Sequence, residues 1–141
     1  MITPDRVAEV MSPNPVSLDA DRSLWDAARQ MRDSDIGDVV VLKDGNICGI
    51  ATDRDIVVRA VADGKDPRAT TIGEVCSKEV TTLLLDTSID DAVALMRDKA
   101  LRRLPVVQDG MPVGIVSLGD LAMKQDPRSA LADISGAPAN T

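Results

Sequence analysis

The chain has 141 residues, a net charge of −7, and 44% apolar and 28% charged side chains, a composition typical of a globular protein. Its acidic residues are spread along the chain and it shows no basic stripe, which argues against a nucleic-acid partner. No apolar run approaches the roughly 18 residues that cross a bilayer, and the N-terminal residues lack the segments of a secretory signal. We therefore expect a cytoplasmic protein with no membrane partner.

The first half of the chain predicts alternating helices and strands. An amphipathic helix has Leu24, Ala27 and Met31 on one stripe at three- and four-residue spacing. A run of valines before the sequence 43–46, Lys-Asp-Gly-Asn, is typical of a strand and a hairpin turn. In chain order, the predicted elements are a helix start at 3–6, an extended piece at 16–18, a helix at 21–33, strands at 38–42 and 47–51, and a helix at 53–62.

The second half predicts the same succession of elements. The sequence 71–74, Thr-Ile-Gly-Glu, predicts a capping box at the start of a short helix. An extended piece at 81–83, a helix at 88–99 and strands at 104–107 and 113–116 follow. Beyond residue 125 the chain is rich in Pro, Ala, Ser and Asp, which predicts a mobile tail over 126–141.

An internal repeat explains this similarity. Residues 11–56 align with 76–121 without a gap, and 15 of the 46 paired positions are identical. Unrelated sequences would match at roughly three such positions, so the repeat is real. Each unit is predicted to have the order β-α-β-β-α. At about 60 residues, one unit buries too little surface to be stable by itself. We therefore predict an α/β (α+β) fold of two repeats, 7–66 and 67–125, packed about a pseudo-twofold axis, with 1–6 starting a helix before them.

Both repeats close with the motif Gly-x-x-[Ser/Thr]-x-x-Asp, at residues 49–55 and 114–120, where a predicted strand turns into a helix. A hydroxyl and a carboxylate three residues apart, beside helix N–H groups, suit a ligand with sugar hydroxyls and phosphates. The same residues also fit two simple helix caps, with Thr52 and Ser117 as N-caps. Capping and ligand binding are compatible, so both interpretations stay open.

The types of residue present argue against an enzyme. The chain contains no histidine, which excludes the common zinc sites and histidine-based acid–base catalysis. Its two cysteines, Cys48 and Cys76, are isolated, and in a cytoplasmic chain this favours reduced, structural residues. An enzyme acting on nucleotides would have to work with Asp53, Asp55, Asp120 and arginines alone. We expect no catalysis, no metal and no required cofactor.

Two β-α-β-β-α units that each close with this motif resemble the tandem cystathionine β-synthase (CBS) domain pair, the Bateman module. The resemblance covers residues 7–123, and residues 52–60 are similar to the matching helix of stand-alone bacterial CBS-pair proteins of the actinobacterial hypoxic-response type. It implies a regulatory module that binds an adenosine-containing ligand (AMP, ADP, ATP, S-adenosylmethionine or NAD) in clefts between the repeats. It also implies a homodimer, and the alternative is a structural scaffold with degenerate clefts. A further protein partner leaves no readable signature.

The resemblance implies roles for the motif residues. In that family the motif aspartate accepts hydrogen bonds from ribose hydroxyls, and the motif Ser or Thr lies close to ribose or phosphate. The matching pairs here are Asp55 with Thr52 and Asp120 with Ser117. A carboxylate can accept from two vicinal hydroxyls, and charge-assisted hydrogen bonds are the stronger class.

The remaining site positions follow from the same resemblance. The best phosphate candidates are Arg54 and Arg103, which correspond to Gly119 and Asp38 in the other repeat. An aspartate near a phosphate repels it, so we expect one site to bind an anionic nucleotide better, or alone. The adenine is expected between short apolar walls beside an extended entry segment. The matching entry and wall positions are Ser17, Leu18, Thr82, Leu83, Ile36, Val39, Leu104 and Pro105.

Overall fold

The computed structural model describes residues 5–76 and 81–125. These residues form two compact units, which we name the first-repeat unit (16–76) and the second-repeat unit (5–15 with 81–125). Within the described ranges, no helix is both long and apolar enough to cross a membrane. The predicted tail at 126–141 and the first two residues of the helix start predicted at 3–6 lie outside the described residues.

The elements follow one another in the predicted alternation. The chain begins with a 3-10 helix (Val7–Glu9), β1 (Ser12–Pro13), β2 (Ser17–Asp19), α1 (Leu24–Ser34), β3 (Asp38–Lys43) and β4 (Asn46–Thr52). It continues with α2 (Asp53–Ile56), a π-helix (Val57–Val61) and α3 (Ile72–Val75). The rest of the chain forms β5 (Leu83–Leu84), α4 (Ile89–Lys99), β6 (Arg103–Gln108), β7 (Met111–Ser117) and α5 (Leu118–Gln125).

The first-repeat unit is built on a three-stranded sheet in the order β2-β3-β4. β2 runs parallel to β3, and β3 and β4 form an antiparallel hairpin. Asp44 and Gly45 turn the hairpin with φ of 53° and 80°, the left-handed values that a tight two-residue turn needs. One face of this sheet packs on α1, which buries the predicted stripe of Leu24, Ala27 and Met31.

The second-repeat unit repeats this plan and adds a strand from the N-terminal end of the chain. Its sheet has the order β1-β7-β6-β5, so β1 pairs with a strand about 100 residues later in the sequence. The Val7 N–H donates to the Thr87 oxygen (2.9 Å), and the Ile89 N–H donates to the Asp5 oxygen (2.8 Å). Val7 is fully buried in the core of this unit. The helix predicted here is therefore only a 3-10 turn, because the chain soon becomes extended to join the sheet.

The segment before the second repeat packs on the first-repeat unit in the equivalent way. The Ile72 N–H donates to the Arg22 oxygen (2.7 Å), and the Leu24 N–H donates to the Thr70 oxygen (2.9 Å). Ile72 and Val75 are buried in the core of the first-repeat unit. Each compact unit thus combines the body of one repeat with the leading segment of the other. The predicted boundary between residues 66 and 67 therefore separates residues 67–76 from the unit in which they are packed.

The helix predicted at 53–62 is divided into two parts. α2 ends at Ile56, and the π-helix continues with a wider hydrogen bond from the Ala62 N–H to the Val57 oxygen (2.9 Å). The run 56–58 is Ile-Val-Val, and β-branched side chains crowd the preceding turn of a regular α-helix. α5, the equivalent helix of the second repeat, has no β-branched residue and is regular.

Candidate functional site

The first corner lies where β4 ends and α2 begins. Thr52 is the last residue of β4 and the N-cap of α2. Its N–H donates to Asp55 Oδ2 (2.9 Å), and the Asp55 N–H donates to Thr52 Oγ1 (3.1 Å). These reciprocal bonds form a capping box. The Asp55 side chain is 13% exposed, so the carboxylate is largely shielded from water.

The second corner has the same geometry where β7 passes into α5. The Ser117 N–H donates to Asp120 Oδ2 (2.9 Å), and the Asp120 N–H donates to Ser117 Oγ (3.1 Å). The bonds expected of simple helix caps are therefore formed at both corners. An ionised carboxylate has about four lone-pair sites, and this box uses one of them. Either aspartate thus retains the capacity to accept bonds from ligand hydroxyls.

The two corners differ in the charge beside the hydroxyl. Asp38 is paired with Thr52 across β3 and β4, whereas Arg103 is paired with Ser117 across β6 and β7. Directly paired residues share a face of the sheet, with their Cβ atoms about 5 Å apart. The first corner therefore has a carboxylate beside its hydroxyl, and the second has a guanidinium.

We call the sheet face that carries the corner hydroxyl the site face. Side chains alternate along a strand, so the residues next to Thr52 and Asp38 point the other way. Ala51 and Val39 accordingly lie in the core of the first-repeat unit. In the second-repeat unit Val116 and Leu104 lie in the core. The site face therefore carries Arg103, Pro105, Ile115 and Ser117 in that unit, and Asp38, Val40, Ile50 and Thr52 in the other.

The alternation separates the predicted entry and wall residues into two groups. Ser17 is paired with Val40 and so lies on the site face, as does Pro105. Leu18 and Leu83 are paired with Val41 and Val106, which are core residues. The side chains of Leu18, Leu83, Val39 and Leu104 thus face the cores, and a ligand on the site face would meet their backbone groups. A role for them in binding stays a prediction, restricted in this way.

The other predicted positions lie away from the strand pairs. Ile36, between α1 and β3, packs partly against the core of the first-repeat unit. Thr82 is exposed and directly precedes β5. Arg54 is exposed in α2, and its N–H donates to Asp53 Oδ1 (2.8 Å).

Three apolar residues of the site face were missed by the sequence reasoning. Val40, Ile50 and Ile115 lie on the same face as the corner hydroxyls. Counting back in steps of two from Thr52 and Ser117 identifies Ile50 and Ile115, because strand side chains have a period of two. Val40 is paired with Ile50, and it corresponds to Pro105 in the other repeat.

Two surface cavities occur among the described residues, and the first of them reaches Leu118 in the second corner. One of about 390 Å³ lies in the second-repeat unit and is lined mostly by apolar residues of α4 and α5, with Arg97 and Arg102. The other, of about 400 Å³, lies beside the β3–β4 turn and is lined by polar residues including Asp19, Asp21 and Lys43. In the part of the chain that the structure describes, no group of three or more His, Cys, Asp or Glu residues is placed to hold a metal ion.

Comparison with known proteins decides the family. The model of the CBS domain matches residues 7–61 and 72–125. The chain belongs to the CBS domain family. It is 36% identical over 133 residues to the CBS domain-containing protein YhcV of Bacillus subtilis, covering 92% of this chain and 94% of that protein.

Other CBS proteins show the same likeness. Hypoxic response protein 1 of Mycobacterium tuberculosis is 32% identical over 115 residues, covering 81% of this chain and 80% of that protein. The crystal structure of Hypoxic Response Protein I, which has two coordinated zinc ions, superposes with a TM-score of 0.75 at 31% identity, covering 83% of this chain and 96% of that one. The expected Bateman-module fold and the resemblance to stand-alone CBS proteins are thus confirmed. Tandem CBS domains are typically regulatory, ligand-binding modules.

Proposed function

We propose that this CBS protein is a non-catalytic sensor that binds an adenosine-containing ligand at its corners and responds by a change of conformation or association. The candidate ligands are AMP, ADP, ATP, S-adenosylmethionine and NAD, which share the adenosine group. The nucleotide acts as a regulatory ligand, and no cofactor is required.

The observation that carries the proposal is the second corner. Asp120 is a carboxylate with remaining acceptor capacity, Ser117 is a hydroxyl beside it, and Arg103 lies on the same sheet face. A ribose diol would donate to Asp120, and Arg103 would attract a phosphate. Pro105 and Ile115 lie on the same sheet face but are buried, so they offer an adenine little exposed surface. The ribose hydroxyls and the phosphates of an adenine nucleotide would both find complementary groups here.

The first corner favours a ligand with less negative charge. Asp38 lies beside Thr52, and an anionic phosphate there would be repelled by about 1 kcal/mol or more when partly shielded from water. We therefore propose that the second corner is the stronger nucleotide site. The first corner would bind a less anionic adenosine derivative, or remain empty.

The capping boxes favour a second candidate, a structural CBS scaffold. Both hydroxyls and both aspartates already satisfy helix N–H groups, which is a complete structural role. In that case the corners would hold the helices and bind nothing. The two candidates differ in whether purified protein binds nucleotide at all.

Isothermal calorimetry separates these candidates. Full-length protein, stripped of co-purified nucleotide, is titrated with AMP, ADP, ATP, S-adenosylmethionine and NAD. We expect micromolar binding of at least one ligand, reduced more than tenfold in Asp120→Asn. The amide oxygen of Asn can still accept the Ser117 N–H, so this variant spares the cap. Asp98→Asn, a matched loss of charge on an exposed residue of α4, should leave affinity within twofold. No heat with any ligand would leave only the scaffold.

We also propose a homodimer in the cytoplasm. Val57, Val58 and Val61 are largely exposed on one short helical segment, an arrangement typical of a protein interface. Cys48 and Cys76 carry thiols that are not joined in a disulfide, which suits a reducing compartment. The name of the mycobacterial relative suggests that the signal is a stress such as hypoxia.

A further inference from the structure

One guanidinium group joins the first corner to the end of a helix. Arg59 Nε lies 3.8 Å from Asp55 Oδ1, and Arg59 Nη1 donates to the Val75 backbone oxygen (3.1 Å). Val75 is the last residue of α3, and the last carbonyl groups of a helix have no partner within it. Arg59 therefore contacts the corner carboxylate and caps the C-terminus of α3 at the same time.

The backbone that carries Arg59 is itself unusual. Arg59 lies in the π-helix Val57–Val61, and a wide hydrogen bond joins the Ala62 N–H to the Val57 oxygen (2.9 Å). π segments are rare and occur frequently at functional sites. Because π and α hydrogen bonding place a side chain at different angles about the axis, a change from one to the other would move Arg59.

We propose that Arg59 is a positioning residue that couples occupancy of Asp55 to the C-terminal end of α3, an inference that rests on the proposed function. The 3.8 Å separation is about 1 Å longer than a charge-assisted hydrogen bond, so the ion pair has room to close. A ligand that covers Asp55 excludes water and strengthens the attraction between the two charges. Arg59 then moves towards Asp55 and releases the Val75 oxygen.

α3, the helix whose C-terminus Arg59 caps, is short and has little support from its own backbone hydrogen bonds. α3 has four residues, and the Cys76 N–H donates to the Ile72 oxygen (3.0 Å) in its single turn. Loss of the Arg59 cap loosens this turn. α3 packs in the first-repeat unit but belongs to the leading segment of the second repeat. A loosened α3 would therefore transmit ligand binding at the first corner to a segment outside that corner.

Hydrogen exchange of the full-length protein measures this coupling. The ligand is the one of the five nucleotides whose affinity falls in Asp55→Asn, used at saturation, and the readout is the peptide that covers 70–76. In the wild type we expect its amides to exchange at least threefold faster with ligand. In Arg59→Met, exchange should be fast with and without ligand.

A conservative variant separates coupling from simple support. In Arg59→Lys, an ammonium can pair with Asp55 but cannot hold two acceptors as a planar guanidinium does. We expect affinity within twofold of the wild type and no response in α3. Arg32→Lys, a matched change at an exposed arginine of α1, should keep the full response.

The outcomes distinguish this inference from the function on which it rests. If none of the five nucleotides binds, the proposed function fails and the coupling fails with it. If nucleotides bind but none loses affinity in Asp55→Asn, or if the one that does leaves exchange over 70–76 unchanged, the coupling alone is overturned. A ligand response that survives in Arg59→Met overturns it as well.

Discussion

Arg103 lies directly across the β6–β7 strand pair from Ser117, on the face of the sheet opposite the core residues Leu104 and Val116. The equivalent position of the first repeat, across from Thr52, is occupied by Asp38. One repeat thus has a cation, and the other an anion, beside an otherwise identical hydroxyl–aspartate corner. This difference predicts that the two corners discriminate between ligands by charge.

Replacing Arg103 should weaken phosphate-containing ligands selectively. In Arg103→Gln we expect AMP affinity to fall about five- to tenfold, or roughly 1–1.4 kcal/mol, because a charged contact becomes a neutral one. Adenosine, which has no phosphate, should change less than twofold. Calorimetric titration of both ligands measures this. Arg102→Gln removes the same charge from the neighbouring position and should behave as wild type; equal losses in both variants would refute a specific role for Arg103.

Removing a corner hydroxyl should destabilise the protein whether or not ligand is present. The Thr52 and Ser117 oxygens accept the N–H of Asp55 and Asp120, and losing an N-cap costs about 1 kcal/mol. Urea unfolding of Thr52→Ala and Ser117→Ala, followed by circular dichroism without nucleotide, measures the free energy of unfolding. Ser34→Ala at the exposed end of α1 is the control. Unchanged stability in both corner variants would contradict the capping geometry.

Gly114→Ala should weaken the packing of the N-terminal segment (5–15) on the rest of the second-repeat unit. A Cβ atom on Gly114 would overlap the Met11 side chain and lie 3.1 Å from the Ser12 oxygen, where β1 pairs with β7. Overpacking of this kind costs about 1–3 kcal/mol, which thermal melting should detect. Adding Met11→Ala removes one of the two obstacles and should recover part of the loss. A neutral Gly114→Ala would argue against the close approach of β1.

Glu74 should contribute to the loss of stability in acid. The Thr71 backbone N–H donates to Glu74 Oε2, the hydroxyl donates to the same oxygen, and these bonds hold the pKa of Glu74 below its ordinary 4.5. A lowered folded-state pKa stabilises the protein above the unfolded-state pKa, and this contribution is lost as pH falls through the folded-state value. The free energy of unfolding should therefore decrease below about pH 4.5, and decrease less in Glu74→Gln.

The fluorescence of Trp25, the single tryptophan, follows this transition during urea unfolding. Trp25 belongs to the same unit as Glu74, and its ring lies under the guanidinium groups of Arg29 and Arg68. An identical loss between pH 6 and pH 3.5 in wild type and Glu74→Gln would show that Glu74 does not contribute.

The exposed valines should mediate self-association. Val57 and Val61 are 57% and 64% exposed, and placing charges there should prevent an apolar interface from closing. We expect the double variant Val57→Lys, Val61→Lys to elute as a monomer at concentrations where the wild type is a dimer, with mass measured by light scattering. Leu84→Lys, at a similarly exposed strand residue, should remain dimeric. A monomeric wild type would remove the basis for the proposed dimer.

The repeat made most of the fold predictable from the sequence. The stripe of Leu24, Ala27 and Met31 and its counterpart of Ile89, Ala92 and Met96 are both buried as expected, because a 3.6-residue period determines which face of a helix is apolar. The Asp-Gly turns could be predicted because few residue types adopt positive φ. The capping boxes were readable for a similar local reason: their partners are three residues apart.

Contacts between residues far apart in the sequence could not be predicted in this way. No local pattern indicates that Ser12 pairs with Ile115. The pairing depends on which unpaired sheet edge the strand reaches when the chain folds. The core-facing direction of Val39 and Leu104 depends on strand register, which one residue of shift would reverse. The π-helix likewise required the structure, because the pattern at 53–62 fits any helix with one apolar face.

The sequence by itself thus determined the two repeats, the helix faces, the turns and the two hydroxyl–aspartate corners, because each depends on residues close together in the chain. Tertiary structure alone decided that each repeat receives the leading segment of the other, that Arg103 and Asp38 stand beside the corner hydroxyls, and that Arg59 links Asp55 to Val75. These last relationships arise from strand register and from packing between segments far apart in sequence, where the burial of the whole chain selects the partner.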